Sequence, residues 1–117
     1  MKTHKDLEVW KKSISLVTIL YKLTKSFPKD ELYGLIQQIR RSAVSVPSNI
    51  AEGAARNHKT EYIQFLYIAL GSLSELETQC LISKNLEYVN DQNYNSINDA
   101  IQEIRRMLLG LIKHLKS

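Results

Sequence analysis

Arg41 and Arg56 share one side of a helix-spaced stretch, and Asn57, His58 and Lys59 follow directly. Lys11 and Lys12 stand on the polar side of an earlier helical segment. Such a strip of cations can grip phosphates by charge, and Arg adds a planar fork that matches two phosphate oxygens. A solvated charged rim explains the same residues, and both readings stay open. No stacking platform of interleaved aromatics accompanies them, so sequence-specific single-strand readout is not expected. The candidate nucleic-acid-binding set is therefore Arg41, Arg56, Lys59, Lys11 and Lys12.

Two further charges fall inside apolar stripes. Arg40 projects between Ile36, Ile39 and Ala43, and Glu77 between Leu73 and Leu81. An unpaired charge there costs several kcal/mol, roughly, so each needs a partner. One hypothesis pairs Arg40 with Glu77 inside the protein. The alternative leaves one or both wet, near an open end or in the channel of an assembly. Arg105 lies at the edge of the last stripe, where a snorkelling side chain accounts for it.

The ingredients of catalysis are absent from the pattern. His4, His58 and His114 are scattered without metal spacing, and no Glu-x-x-His pair suggests a di-iron site. Gly34, Gly53, Gly71 and Gly110 are isolated rather than gathered in a phosphate loop. No serine sits in a recognisable nucleophile context. The lone Cys80, beside an apolar stripe, reads as a small core residue. No enzyme, metal or cofactor is expected.

The elements that must position these residues are helices. Gly (4) and Pro (2) are too scarce to turn many short strands. Helix one is expected from about Asp6, its N-cap, to Ser26. Its stripe centres on Trp10, Ile14, Val17 and Tyr21, flanked by Leu7, Leu20, Val9, Leu16 and Leu23. That apolar arc spans roughly 200°, about twice what a one-sided surface helix needs. Helix two is expected from Lys29 to Arg56, with Leu32, Ile36, Ile39, Ala43, Val46, Ile50 and Ala54 inward. Pro47 lies within it, where a kink is expected and a break is the alternative. Gln38, Arg41, Ser42, Ser45, Asn49, Glu52 and Arg56 form its outer face. Helix three runs from Thr60 to Asn85, and helix four from a cap at Asp91 or Asn93 to Leu115. Short connections between long helices predict an all-α, up-down-up-down antiparallel four-helix bundle. The 117 residues form a single domain, 1–117.

Charge is uneven along the chain. Residues 1–59 carry 11 Lys/Arg against 5 Asp/Glu, and residues 60–117 carry 5 against 7. From Thr60 to Ser83 there is no Lys or Arg and only three acids, Glu61, Glu75 and Glu77. Ser42 to Ala51 has no charge at all. Uncharged helix backs and an over-wide apolar arc predict packing beyond one bundle, hence a homo-oligomer. No apolar run approaches the roughly 20 residues of a membrane span, and the start lacks a signal-peptide core. A soluble, cytoplasmic protein without membrane contact is the expectation.

The motifs Leu7–Trp10 (LEVW), Gln38–Arg41 (QIRR), Pro47–Gly53 (PSNIAEG) and Ala69–Glu77 (ALGSLSELE) carry a family resemblance. The chain resembles the four-helix bundle proteins encoded in intervening sequences of bacterial 23S ribosomal RNA genes. That family includes the accessory variability proteins of diversity-generating retroelements. The resemblance implies a positively charged ring of five bundles. It further implies nucleic acid, RNA or DNA, as a ligand and a reverse transcriptase or other protein as a partner. Arg40 and Arg41 match the family motif directly; the other candidate cations rest on electrostatics alone. The expected function is that of a non-enzymatic oligomeric accessory factor binding nucleic acid by charge. The alternative is a protein-interaction scaffold with no physiological nucleic-acid ligand.

Overall fold

Apolar residues recurring three and four positions apart give each long segment one buried face, and four α-helices result. The computed structural model describes residues 3–117, without the side chain of Asp6. Its helices are α1 (Glu8–Thr24), α2 (Leu35–Ala54), α3 (Lys59–Asn85) and α4 (Asp91–Lys116), with no strand among the described residues. Short 3-10 turns occupy His4–Asp6 and Lys29–Glu31. The protein is an all-α four-helix bundle with extents of 44 × 24 × 22 Å.

Each helix packs on its sequence neighbour and α1 closes on α4, while the diagonal pairs stay apart. Along the α2–α3 seam Ser42 meets Gln79, Ser45 meets Ser72 and Gly53 meets Phe65. Rising numbers on one helix match falling numbers on the other, the register of an antiparallel pair. Between α3 and α4 the matched residues are Glu77 with Arg105 and Tyr67 with Lys116. The core runs along the axis through Leu20, Ile39, Ile50, Leu66, Leu73, Leu76, Ile101, Ile104 and Leu108, all essentially fully buried. Each contributes about 1.5–3 kcal/mol by leaving water.

Helix ends differ in detail from expectation. α1 begins after Leu7, which supplies no side-chain cap; the Asp6 side chain expected there lies outside the described residues. Helix two does not run from Lys29: a 3-10 turn and Leu32–Gly34 come first. Gly34, at φ −115° and ψ −108°, is the non-helical residue from which α2 departs. α2 then passes through buried Pro47 without a break. The cap of α4 is neither Asp91 nor Asn93 but Asn90, whose Oδ1 accepts from the Asn93 backbone N–H at 2.7 Å. α3 closes on a left-handed residue, Glu87 at φ 66°. The N–H of Tyr88 reaches the Ser83 carbonyl and that of Glu87 the Lys84 carbonyl, both at 2.9 Å, a Schellman arrangement.

α1 is rotated relative to its expected stripe. Val9, Ser13, Leu16, Leu20 and Thr24 are buried, whereas Ile14 and Tyr21 are each 39% exposed. Two polar residues on the buried side explain the difference. The hydroxyls of Ser13 and Thr24 donate to the carbonyls of Val9 and Leu20, each at 2.7 Å, so their burial costs little.

The uncharged backs of α2 and α3 turn partly toward each other. Ser42 and Gln79 are buried and bonded at 2.6 Å, and Ser45 and Ser72 lie 2.8 Å apart. Ser42 and Ser45 therefore serve a seam within one chain, not the outer face expected of them. At its far end the seam leaves no room for a side chain on Gly53. A Cβ on Gly53 would stand 2.8 Å from the Cβ of Phe65 and 3.0 Å from the Tyr62 ring. Cys80 is buried, as expected, and burial pushes its thiol up to about 12.

Candidate functional site

The cations expected to form one strip divide between the two ends of the bundle. Arg41 lies early in α2, Arg56 just beyond its C-terminus, about 20 Å away at 1.5 Å per residue. Arg56 is committed within the chain: its Nη2 bonds Glu52 Oε1 at 3.0 Å and its guanidinium covers the Phe65 ring at 5.0 Å. Lys59 opens α3 and is exposed. Lys11 pairs with Glu8 at 3.4 Å, and Lys12 with Glu103 of α4 at 2.7 Å. The Lys12 ammonium is raised above its ordinary range by the hydrogen bond to Glu103, whose carboxyl is lowered in return. Arg56, Lys11 and Lys12 thus already hold carboxylates.

Arg40 and Glu77 do not pair with each other. The Nε of Arg40 donates to Thr24 Oγ1 at 3.0 Å and its Nη2 to the Tyr21 carbonyl at 3.1 Å. Its guanidinium lies 4.6 Å from the centre of the Tyr21 ring. Glu77 instead takes Arg105, at 2.9 Å, and Gln102, at 2.6 Å. The bundle order explains both partners. Arg40 points from α2 toward α1, and Glu77 from α3 toward α4. Arg105, expected merely to snorkel, supplies the Glu77 charge partner.

The residues that do converge lie where α1 ends and α2 begins. Tyr21, Leu32, Tyr33, Ile36, Gln37, Arg40 and Arg41 line a cleft of about 520 Å³. A second cleft of about 380 Å³ adjoins it across Leu32, Ile36 and Arg40, and adds Lys25 and Lys29. Lys25, Lys29, Arg40 and Arg41 form no ion pair among the described residues. The nearby acid Glu31 is occupied: Oε2 accepts from the Tyr88 hydroxyl at 3.0 Å, and Oε1 from the Leu35 N–H at 3.3 Å. Tyr33 is 85% exposed. Four cations without ion pairs stand around two tyrosine rings, against the carboxylates of Asp30 and Glu31 in the same turn, and leave this end net positive.

Arg40 and Arg41 were visible in sequence; Lys25, Lys29, Tyr21 and Tyr33 were missed as site residues. They come from the end of α1, a 3-10 turn and a bend, which no single helical face connects. An alternation of cations and tyrosines from Tyr21 to Arg41 was the available signal.

Elsewhere, Trp10, Ile14, Val17, Val44 and Pro47 line an apolar groove of about 390 Å³ between α1 and α2. Among the described residues no group of His, Cys, Asp and Glu is placed to hold a metal. No helix there is long and apolar enough to cross a membrane.

The fold and this end define a small four-helix bundle protein with a cationic, aromatic-bearing tip. Residues 5–110 match the family model of the 23S rRNA-intervening sequence proteins, and the chain belongs to that family. It is similar to a crystal structure from Bacteroides thetaiotaomicron VPI-5482, described as a protein with unknown function from the S23 ribosomal protein family. The TM-score is 0.82 at 27% identity, over 90% of this chain and 95% of that one. No curated protein matches the chain.

Proposed function

We propose that the protein is a non-enzymatic cytoplasmic accessory factor that binds nucleic acid electrostatically, as a homo-oligomer. The carrying observation is the set of four cations, Lys25, Lys29, Arg40 and Arg41, unpaired around adjoining clefts at one end. Phosphates supply the missing counter-charge, and displaced counterions make affinity fall steeply with salt. The membership of the chain in a family named for 23S rRNA intervening sequences is compatible with an RNA ligand. A pentameric ring, as the family resemblance implies, would repeat the cationic end around an axis and enlarge its field.

The test is light scattering during titration with structured RNA at about 50 and then 200 mM salt. An oligomer of defined mass that binds at low salt and releases at high salt is expected. Arg41→Ala should weaken binding more than Arg56→Ala, because Arg56 is held by Glu52. Binding that ignores salt, or none, sinks the proposal, and a stable monomer removes its oligomeric part.

A second reading, an interaction scaffold for a reverse transcriptase or other protein, draws on the uncovered apolar groove beside Trp10 and Val44. It predicts that the oligomer persists while RNA binding stays weak and does not saturate.

A further inference from the structure

We infer that the cleft between α1 and α2 accepts an unpaired nucleotide, its base stacked on Tyr33 and its phosphate held by Arg40 and Arg41. This inference rests on the nucleic-acid reading above and narrows the ligand to single-stranded segments.

Charge alone would serve a duplex, whose phosphates are presented outward, and would need no aromatic ring. Tyr33 adds something a duplex cannot use. The residue is 85% exposed, lines the same cleft as Arg40 and Arg41, and its ring has no aromatic partner among the described residues. An isolated exposed tyrosine is ordinary, but one set beside two arginines offers a base a face and its phosphate a charge. Paired bases keep their faces stacked within the helix, so only an unpaired base can reach the ring.

Arg40 is prepared for this role. Thr24 Oγ1 and the Tyr21 carbonyl hold its Nε and Nη2, and the Tyr21 ring lies 4.6 Å from its centre. Its Nη1 makes no hydrogen bond within the described chain, which leaves a fixed donor beside the cleft. A guanidinium already immobilised loses less freedom when it binds phosphate. Arg41, exposed and without an ion pair, supplies the second charge. Asp30, the other acid of the turn, lines neither cleft, so no carboxylate stands among the lining groups. Stacking tolerates any base, and the site should show little sequence preference.

The test is fluorescence anisotropy on the full chain at about 50 mM salt. The probes are a labelled oligonucleotide of about 12 residues, within the span such sites cover, and the same strand annealed to its complement. The single strand should bind more tightly. Tyr33→Ala should lower its affinity roughly tenfold and leave the duplex unchanged, while Tyr33→Phe keeps the preference. Circular dichroism melts should show the variants folded, since Tyr33 is largely exposed. If Tyr33→Ala changes neither probe, or both alike, while Arg41→Ala still weakens binding, the inference is overturned and the electrostatic function stands. If neither probe binds, the nucleic-acid reading itself fails and this inference goes with it.

Discussion

Glu77 and Arg105 clasp across the α3–α4 interface, Oε1 to Nη2 at 2.9 Å, with Gln102 bonded to the second carboxylate oxygen at 2.6 Å. The hydrogen bond from Arg105, aided by Gln102, holds the Glu77 carboxyl below its ordinary 4.5, against the opposing effect of desolvation. A carboxyl depressed in the folded state stabilises the fold above its unfolded pKa, and that stability is lost as pH falls through the folded value. Glu77→Gln should therefore melt below wild type at pH 7, and the gap should close below about pH 4.5. Solvent reaches both partners, so the gap at neutral pH should be modest, on the order of 1 kcal/mol or less. Thermal melts of both proteins from pH 7 to pH 3 provide the check; a gap that widens in acid contradicts the assignment.

Ser42 and Gln79 form a buried polar contact of 2.6 Å in the α2–α3 seam. Removing one partner strands the other without water. Ser42→Ala should cost about 1–3 kcal/mol. Adding Gln79→Met to that variant should recover much of the loss, because apolar groups then replace both partners. Urea denaturation of the two single variants and the double supplies the cycle, and strict additivity would count against the contact.

Gly53 sits at a close approach of α2 to α3, against Tyr62 and Phe65. In a solvated helix, Gly→Ala gains about 1 kcal/mol. Here the new methyl would lie 2.8 Å from the Phe65 Cβ, which is anchored to the α3 backbone and cannot swing away. Gly53→Ala should instead destabilise by about 1–3 kcal/mol. Chemical denaturation decides the sign.

Glu87 ends α3 with φ 66°, a conformation glycine enters without strain. Glu87→Gly should raise stability by about 1 kcal/mol, since the left-handed penalty disappears. A melting temperature that falls would mean the Glu87 side chain contributes more than its backbone costs.

The chain of apolar residues at helical spacing made the four helices readable from sequence, along with the antiparallel packing they suggest. α3 and α4 begin and end near their expected places because short polar segments bound them, and α4 also carries the Asn90 cap. α1 misled through Ser13 and Thr24, which hydropathy assigns to water although each hydroxyl is satisfied one turn back. The same blindness hid Ser42 and Gln79, whose uncharged surroundings suggested an external interface. Arg40 and Glu77 were marked as charges in need of partners, and each makes side-chain bonds to a neighbouring helix, though not to the other. Which partner each takes depends on helix order around the axis, and spacing along one helix does not carry that information. The cationic end was half legible. Arg40 and Arg41 stood out, but Tyr33 and Lys29 acquire their neighbours only when the turn before α2 folds back beside α1.

Cys80 gives the protein a built-in clock. It is the chain's one thiol, buried and held protonated by a pKa of about 12. A protonated, enclosed sulfur reacts with alkylating reagents only when the helices around it part. The rate at which that single sulfur is trapped therefore times the opening of the bundle near the end where α1 and α3 finish and α4 begins. No probe need be added, and no other thiol can blur the reading.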